Sequence, residues 1–280
     1  MITRFAPSPT GPLHLGHAFS ALLAHDRARA CGGQFLLRIE DIDQTRCRPQ
    51  WEAQLLDDLQ WLGVTWDAPP MRQSDRLDAY RAALDTLWQR GLLYPCHCRR
   101  RDIQAAASAP QEGAAPVFGP DGLIYPGTCR NRPRDGELPL QGVALRLDMA
   151  RALTQVTALR GFHDHDRGLV QPTPDQMRQQ VGDIVLSRRD FLGSYHLSVV
   201  LDDAAQGVTE VIRGQDLFDA TAIHVLLQQL LDLPTPHYHH HRLIRDQAGK
   251  RLAKRDDARA IATYREQGLT AAQIRSRVGL

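Results

Sequence analysis

The apolar positions of the first forty residues fall into two short runs on either side of a helical stretch. Ile2-Thr3-Arg4-Phe5 reads as a strand, Ala6 to Pro12 as a Pro/Gly loop, and Leu15 to about Cys31 as a helix closed by Gly32-Gly33. Gln34 to Ile39 is a second buried run, followed at once by the acidic Glu40-Asp41-Ile42-Asp43. Strand, loop, helix and strand in that order predict a βαβ unit of a parallel sheet, with a ligand crevice at the C-terminal ends of its strands. The pattern then turns helical: Pro49 to Leu62 and Asp75 to Arg90 predict amphipathic helices.

From Tyr94 the texture changes. Residues 96–145 hold clustered cysteines, the run Arg99-Arg100-Arg101 and an Ala/Pro/Gly-rich stretch from Ala105 to Gly122, which together predict an inserted module with a flexible loop. Regular structure resumes with Gly182 to Ser187, then Leu197 to Leu201, then Val208 to Arg213, and two of these runs are expected to complete the sheet. A helix follows from about Phe218 to Leu231, ended by Pro234 and Pro236, and the tail from Arg242 is basic and helical. No internal repeat is present. The expected fold is α/β, a Rossmann-type parallel sheet formed by residues 1–95 and 182–235, with an inserted module at 96–181 and a loop plus helical tail at 236–280.

Composition narrows the class without fixing the activity. A chain of 280 residues can bury a substantial core and exceeds the usual size of one compact domain. The sequence is 42% hydrophobic and 24% charged, with no N-terminal apolar stretch behind basic residues and no long apolar run, so a cytoplasmic location is expected. A net charge of +2 leaves any nucleic-acid partner to local patches. Of the 34 basic residues only Lys250 and Lys254 are lysines. Either a compact ammonium is needed there, or they are chance survivors of a codon bias toward arginine. Five cysteines are an odd number for a disulfide framework: Cys31 and Cys47 are isolated, whereas Cys96, Cys98 and Cys129 cluster.

The chemistry is concentrated between the first strand and the first helix, in Pro7-Ser8-Pro9-Thr10-Gly11-Pro12-Leu13-His14-Leu15-Gly16-His17. A nucleotide phosphate placed there meets free N–H groups and the positive end of the helix dipole. His14 and His17 project over the same first turn and can donate to a phosphate gaining charge, while Gly16 leaves room for a flat base against backbone. Capping or surface roles are the plainer alternative for two such histidines. No G-x-x-x-x-G-K-[ST] run is present, so a P-loop is excluded. Far downstream, Gly249 to Arg255 reads as a cationic loop suited to closing over a triphosphate.

Taken in order, Arg4 to Gly11, His14-Leu15-Gly16-His17, Arg38 to Asp43, Tyr195-His196-Leu197, Asp202-Asp203, Val211 to Gly214 and the Arg251 to Arg255 loop resemble the glutamyl-type class I aminoacyl-tRNA synthetases, with their HIGH and KMSKS signatures. The resemblance covers nearly the whole chain. It implies that Arg4, Ser8, Glu40, Tyr195 and Arg213 form a glutamate pocket, two arginines for two carboxylates and an acid for the ammonium. It implies ATP binding by His14, Gly16, His17 and Lys254, with His14, His17 and Lys254 catalytic and Mg2+ accompanying ATP. Arg251 and Ala253 replace the first lysine and the serine of KMSKS; Lys254 keeps the second lysine.

The sequence runs about 25 residues past that loop, so no anticodon-reading domain is expected, and in this the chain resembles the glutamyl-queuosine tRNA(Asp) synthetases. That resemblance implies transfer of glutamate from glutamyl-adenylate to queuosine in tRNA(Asp). It also implies structural Zn2+ on Cys96, Cys98, Tyr125 and Cys129 within an RNA-contacting module, and a tail that contacts the RNA stem. From spacing alone, reduced thiols remain an alternative to zinc. His97 competes with Tyr125 as fourth ligand, since 26 residues separate Cys98 from Tyr125. Arg99, Arg100, Arg101, Arg130, Arg132 and Arg134 suit RNA phosphates or a solvated surface equally. The histidines at 237 and 239–241 alternate across a predicted strand, which argues against convergence on one ion; the resemblance implies a strand leading to the KMSKS-type loop, with pocket lining as the more modest role. A monomer is expected. A silent RNA-binding paralogue and an unrelated HxGH nucleotidyltransferase are the competing readings.

Overall fold

The computed structural model describes residues 1–107, 117–134, 136–245 and 259–280. The strand Ile2–Phe5 (β1) pairs in parallel with Gln34–Ile39 (β2), and the helix Leu15–Ala30 (α1) crosses between them. The crossover closes tightly because Gly33 lies against the backbone of Met1, where an added Cβ would stand 2.2 Å from the Met1 carbonyl oxygen. A second sheet lies on the other side of β1. The Thr209 N–H donates to the Ile2 carbonyl at 2.9 Å, seating its strand Glu210–Gly214 beside β1, and His237–His241 and Phe162–Asp164 follow in parallel register within that second sheet. Helices Pro49–Trp61 and Leu77–Gln89 form near their expected positions.

Of the three runs from which two sheet strands were expected, only the last joins the parallel strands. The run Val185–Ser187 leaves the parallel sheet and joins Leu93–Cys96 and Ala144–Leu147 in a small antiparallel sheet. The apolar run Leu197–Leu201 belongs to a helix, Tyr195–Ala205, capped by Ser194, whose hydroxyl accepts from the Leu197 N–H. Short apolar runs do not distinguish a buried helix from a buried strand, and here the cap decides.

The tail forms helices Ile261–Glu266 and Ala271–Val278, which pack Ile261, Tyr264, Ile274 and Val278 against Phe19 and Leu22 of α1. Arg275 grips Asp26 of α1 through both terminal nitrogens. Ile261 N–H donates to the Leu13 carbonyl, and Ala260 bridges His14, so the tail re-enters beside the first loop. The Gly249–Arg255 loop, with Lys254, lies outside the described residues. Among those described, no helix is long and apolar enough to cross a membrane.

Candidate functional site

At the C-terminal ends of β1 and β2 a cavity of about 400 Å³ opens, lined among others by Arg4, Ser8, His17, Glu40, Tyr195 and Arg213. The five residues expected to bind an amino acid therefore surround one space, together with one of the paired histidines. The Pro/Gly loop is drawn over it by a hydrogen bond from the Glu40 N–H to the Pro7 carbonyl at 3.0 Å.

One wall is a buried ion network. Arg38 is fully buried and donates to Asp203 Oδ1 at 2.6 Å and to Glu40 Oε1 at 3.3 Å. Arg4 donates to the same Asp203 carboxylate through Nε at 3.0 Å. Burial would raise the Asp203 carboxyl, but the guanidiniums of Arg4 and Arg38 more than offset it and hold Asp203 below the usual carboxylate range. At Glu40 burial wins over the same two arginines, and its carboxyl is raised.

The opposite wall is built around Arg213. Its Nε donates to His240 Nε2 at 3.2 Å, Nη1 to His224 Nδ1 at 3.1 Å and to Tyr195 Oη at 3.4 Å, and Nη2 to Thr221 Oγ1 at 2.8 Å and the Leu217 carbonyl at 3.2 Å. His240 in turn contacts Asp164 Oδ2 through Nδ1 at 2.6 Å. Burial and the nearby Arg213 charge push His224 well below its ordinary value. Burial pushes His240 down to about 4, although its Asp164 partner works the other way. Both imidazoles are therefore neutral at pH 7. Among the described residues, Arg213 makes no ion pair: a buried cation with only neutral partners.

His14 caps α1: its Nδ1 accepts from the N–H groups of Gly16 and His17 at 3.1 and 3.4 Å, and His17 Nδ1 accepts from the His14 N–H at 3.2 Å. The two rings stack with centroids 3.7 Å apart. The space over Gly16 is taken by His14 itself, where an added Cβ would meet its ring at 3.0 Å. Room for the His14 ring, and not only room for a base, therefore requires glycine there. His17 and Ser20 reach the cavity from this turn, and Ser20 Oγ lies 2.7 Å from His241 Nε2.

The cysteine cluster is separate. The sulfurs of Cys96, Cys98 and Cys129 all lie within 4.8 Å of one another. The Tyr125 hydroxyl stands 3.4 Å from both Cys96 Sγ and Cys98 Sγ and accepts from the Cys129 N–H at 2.9 Å. The Cys98 to Cys129 sulfur separation is 3.6 Å. A tetrahedral zinc with Zn–S near 2.3 Å would have donors roughly 3.8 Å apart, so the four side chains fit such an ion after a small expansion. His97 is exposed and outside the group of converging donors. Of the flanking arginines, Arg130 pairs with Asp183 and Arg134 with Asp148, whereas Arg99, Arg100, Arg101 and Arg132 remain exposed.

The histidine strand divides as its period requires. His240 faces inward to Arg213; His237 and His239 face His163 and His165 across the sheet, with ring centroids 5.5 and 4.7 Å apart. Among the described residues these rings do not form a converging metal-ligand group. The sequence alone assigns no role to Arg38, Asp203, Thr221, His224 or Asp164. Arg38 and Asp203 lie within the motif runs that mark the site, whereas His224 and Asp164 carry no such signal.

A family model described as the catalytic domain of class I tRNA synthetases (E and Q) matches residues 1–280. A glutamyl-Q tRNA(Asp) synthetase of Rhodobacter capsulatus is 65% identical over 100% of this chain and 100% of its own length. One from Albidiferax ferrireducens is 42% identical over 94% of this chain and 87% of its own. The crystal structure of a glutamate tRNA ligase from Elizabethkingia meningosepticum, in complex with its amino acid, superposes with a TM-score of 0.77 at 29% identity; the match covers 100% of this chain and 60% of the ligase. A methionyl-tRNA synthetase from Mycobacterium tuberculosis, at 12% identity and a TM-score of 0.58, is similar in fold alone.

Proposed function

The chain belongs to the class I tRNA synthetases of the glutamate and glutamine type, and from that membership and its cavity we propose that it activates glutamate with ATP and transfers it to queuosine in tRNA(Asp). The observation that carries the amino-acid assignment is Arg213, buried at 6% exposure and surrounded by neutral acceptors. A buried guanidinium without a counter-ion favours an anionic ligand strongly. Glu40 faces the same space and takes the substrate ammonium, Arg4 supplies the second guanidinium, and Ser8 and Tyr195 supply hydroxyls.

A glutamate carboxylate oxygen attacks the α-phosphorus of ATP, forming the acyl-phosphate bond and expelling pyrophosphate. A hydroxyl of the queuosine ring then attacks the acyl carbon and AMP leaves. His14 and His17 at the start of α1 stabilise charge on the phosphates through their ring N–H groups and the helix dipole. Lys254, which lies outside the described residues, is assigned the same task on the family resemblance of its loop alone. Mg2+ on the triphosphate, where bound, neutralises phosphate charge.

Cys96, Cys98, Tyr125 and Cys129 would hold a structural Zn2+, which supplies cross-linking of the insert and no step of the reaction. Residues 96–181 act as the RNA-contacting insert and 259–280 as the stem-contacting tail, in a cytoplasmic, monomeric enzyme. Glutamate-dependent exchange of pyrophosphate into ATP tests the activation step: exchange with glutamate and not with glutamine or aspartate is expected. Exchange with none of the three would leave a silent RNA-binding paralogue as the better reading.

A further inference from the structure

The Arg213 wall continues outward through contacts that the proposed reaction does not use. Arg213 Nη1 lies 3.1 Å from His224 Nδ1, His224 Nε2 lies 3.1 Å from His196 Nδ1, and His196 Nε2 lies 3.3 Å from Asp121 Oδ1. Donor chemistry gives this chain one direction. A guanidinium nitrogen only donates, so His224 Nδ1 accepts and the single proton of the neutral ring sits on Nε2. That proton points at His196 Nδ1, which must accept in turn. The His196 proton is left on Nε2, facing the Asp121 carboxylate.

The ends of the relay differ in environment. His196 and His224 are 5% and 1% exposed, whereas the Asp121 side chain is 41% exposed. Asp121 sits in the two-residue turn Pro120–Asp121 of the hairpin that pairs Phe118–Gly119 with Gly122–Leu123, and Gly122 follows at φ 94°. The Tyr195 ring, whose hydroxyl reaches Arg213, packs against both imidazoles at centroid distances of 5.4 and 5.6 Å.

We propose that Asp121 is a positioning residue for the amino-acid pocket: through His196 and His224 its carboxylate fixes the tautomers that aim Arg213 at a substrate carboxylate. Without that acceptor the opposite tautomer pair becomes accessible, with a proton on Nδ1 of each ring. His224 then presents an N–H to the Nη1 donor of Arg213, and the guanidinium must turn away. The hairpin belongs to the insert, so whatever grips its turn is felt at Arg213. This inference rests on the reading of Arg213 as the ligand of a glutamate carboxylate.

The test uses the full chain, as wild type, Asp121→Ala and Asp121→Asn. Glutamate-dependent pyrophosphate exchange gives KM and kcat, and nitrogen-15 NMR of the imidazoles gives the tautomers of His196 and His224. Asp121→Ala is expected to raise the KM for glutamate about tenfold, the worth of one charge-assisted hydrogen bond. In that variant kcat changes less, the KM for ATP stays put, and His196 loses its Nε2–H tautomer. Asp121→Asn keeps an acceptor oxygen and is expected to restore most of the affinity. Wild-type KM and unchanged tautomers in Asp121→Ala would overturn the proposal, as would an equal loss in both variants explained by a lower Tm. If the wild-type protein shows no exchange with glutamate, the pocket reading fails by itself. The tautomers still decide the relay: Nε2–H on both rings, lost from His196 in Asp121→Ala, upholds it, and any other pattern overturns it.

Discussion

The two arginine-bearing walls of the cavity use the same side chain in opposite ways. Arg4 and Arg38 share the Asp203 carboxylate, so much of their charge is compensated within the protein. Arg213 is as deeply buried but is held by two imidazoles, two hydroxyls and a carbonyl, none of them anionic. The first arrangement is a strut across β1, β2 and the helix Tyr195–Ala205. The second keeps a full positive charge available for a ligand, and the neutral histidines hold it in place without spending that charge. Arg4 lines the cavity as well, but its charge is shared with Asp203, so the stronger anion site is at Arg213, where the neighbours are neutral.

If that division holds, replacing the two sides should damage different properties. The largest expected effect on activity is at Arg213. Arg213→Ala removes a pair of charge-assisted hydrogen bonds, about 2 kcal/mol each, and should reduce glutamate-dependent exchange about a thousandfold while the Tm moves little. Comparable loss of stability and activity in that variant would erase the distinction between the walls.

Asp203→Ala should do the reverse. It leaves Arg38 and Arg4 buried without their anion, a cost of about 3–5 kcal/mol read in a urea melt. A stable Asp203→Ala protein with a broken pocket would show that Asp203 serves the pocket by aiming Arg4 and not the fold as a strut.

The histidines add a pH signature. His240 has a folded value of about 4 against an ordinary 6.5, so the unfolded chain binds the proton first. Stability from the neutral ring is complete above pH 6.5 and is lost as pH falls toward 4, and His224 acts in the same direction. Asp203, held below its ordinary value, loses its contribution only at lower pH. Melting curves between pH 7 and 4 should therefore fall in wild type, and fall less in His240→Gln.

The smallest expected effect on catalysis is at the cysteine cluster. Elemental analysis should find about one zinc per chain, and its removal should lower the Tm more than it lowers glutamate exchange. A protein purified without zinc and unchanged by chelators would leave the three thiols as plain core residues.

Much of this site was legible in the chain. The strand–loop–helix–strand opening and the His14/His17 pair are positions where local pattern and chemistry coincide; Arg4, Ser8, Glu40, Tyr195 and Arg213 were implied by the family resemblance alone, and they line one cavity. What escaped is what depends on distant packing. His224 reads as one more helical position, yet the fold puts its Nδ1 against Arg213. Asp164 lies 76 residues from His240 and contacts it at 2.6 Å. Leu197 to Leu201 and Val185 to Ser187 are short apolar runs whose periodicity fits more than one buried environment, so their sheet or helix partners were set by tertiary contacts. Gly16 was legible as a required glycine, but the ring that occupies its space is that of its own neighbour, His14.

The most direct test of the whole account is transfer of labelled glutamate to tRNA(Asp) bearing queuosine and to the same tRNA lacking it. The account predicts ATP-dependent labelling of the queuosine-bearing RNA alone, lost with Arg213→Ala. Equal labelling of both RNAs, or of neither while free glutamate is still activated, would contradict it.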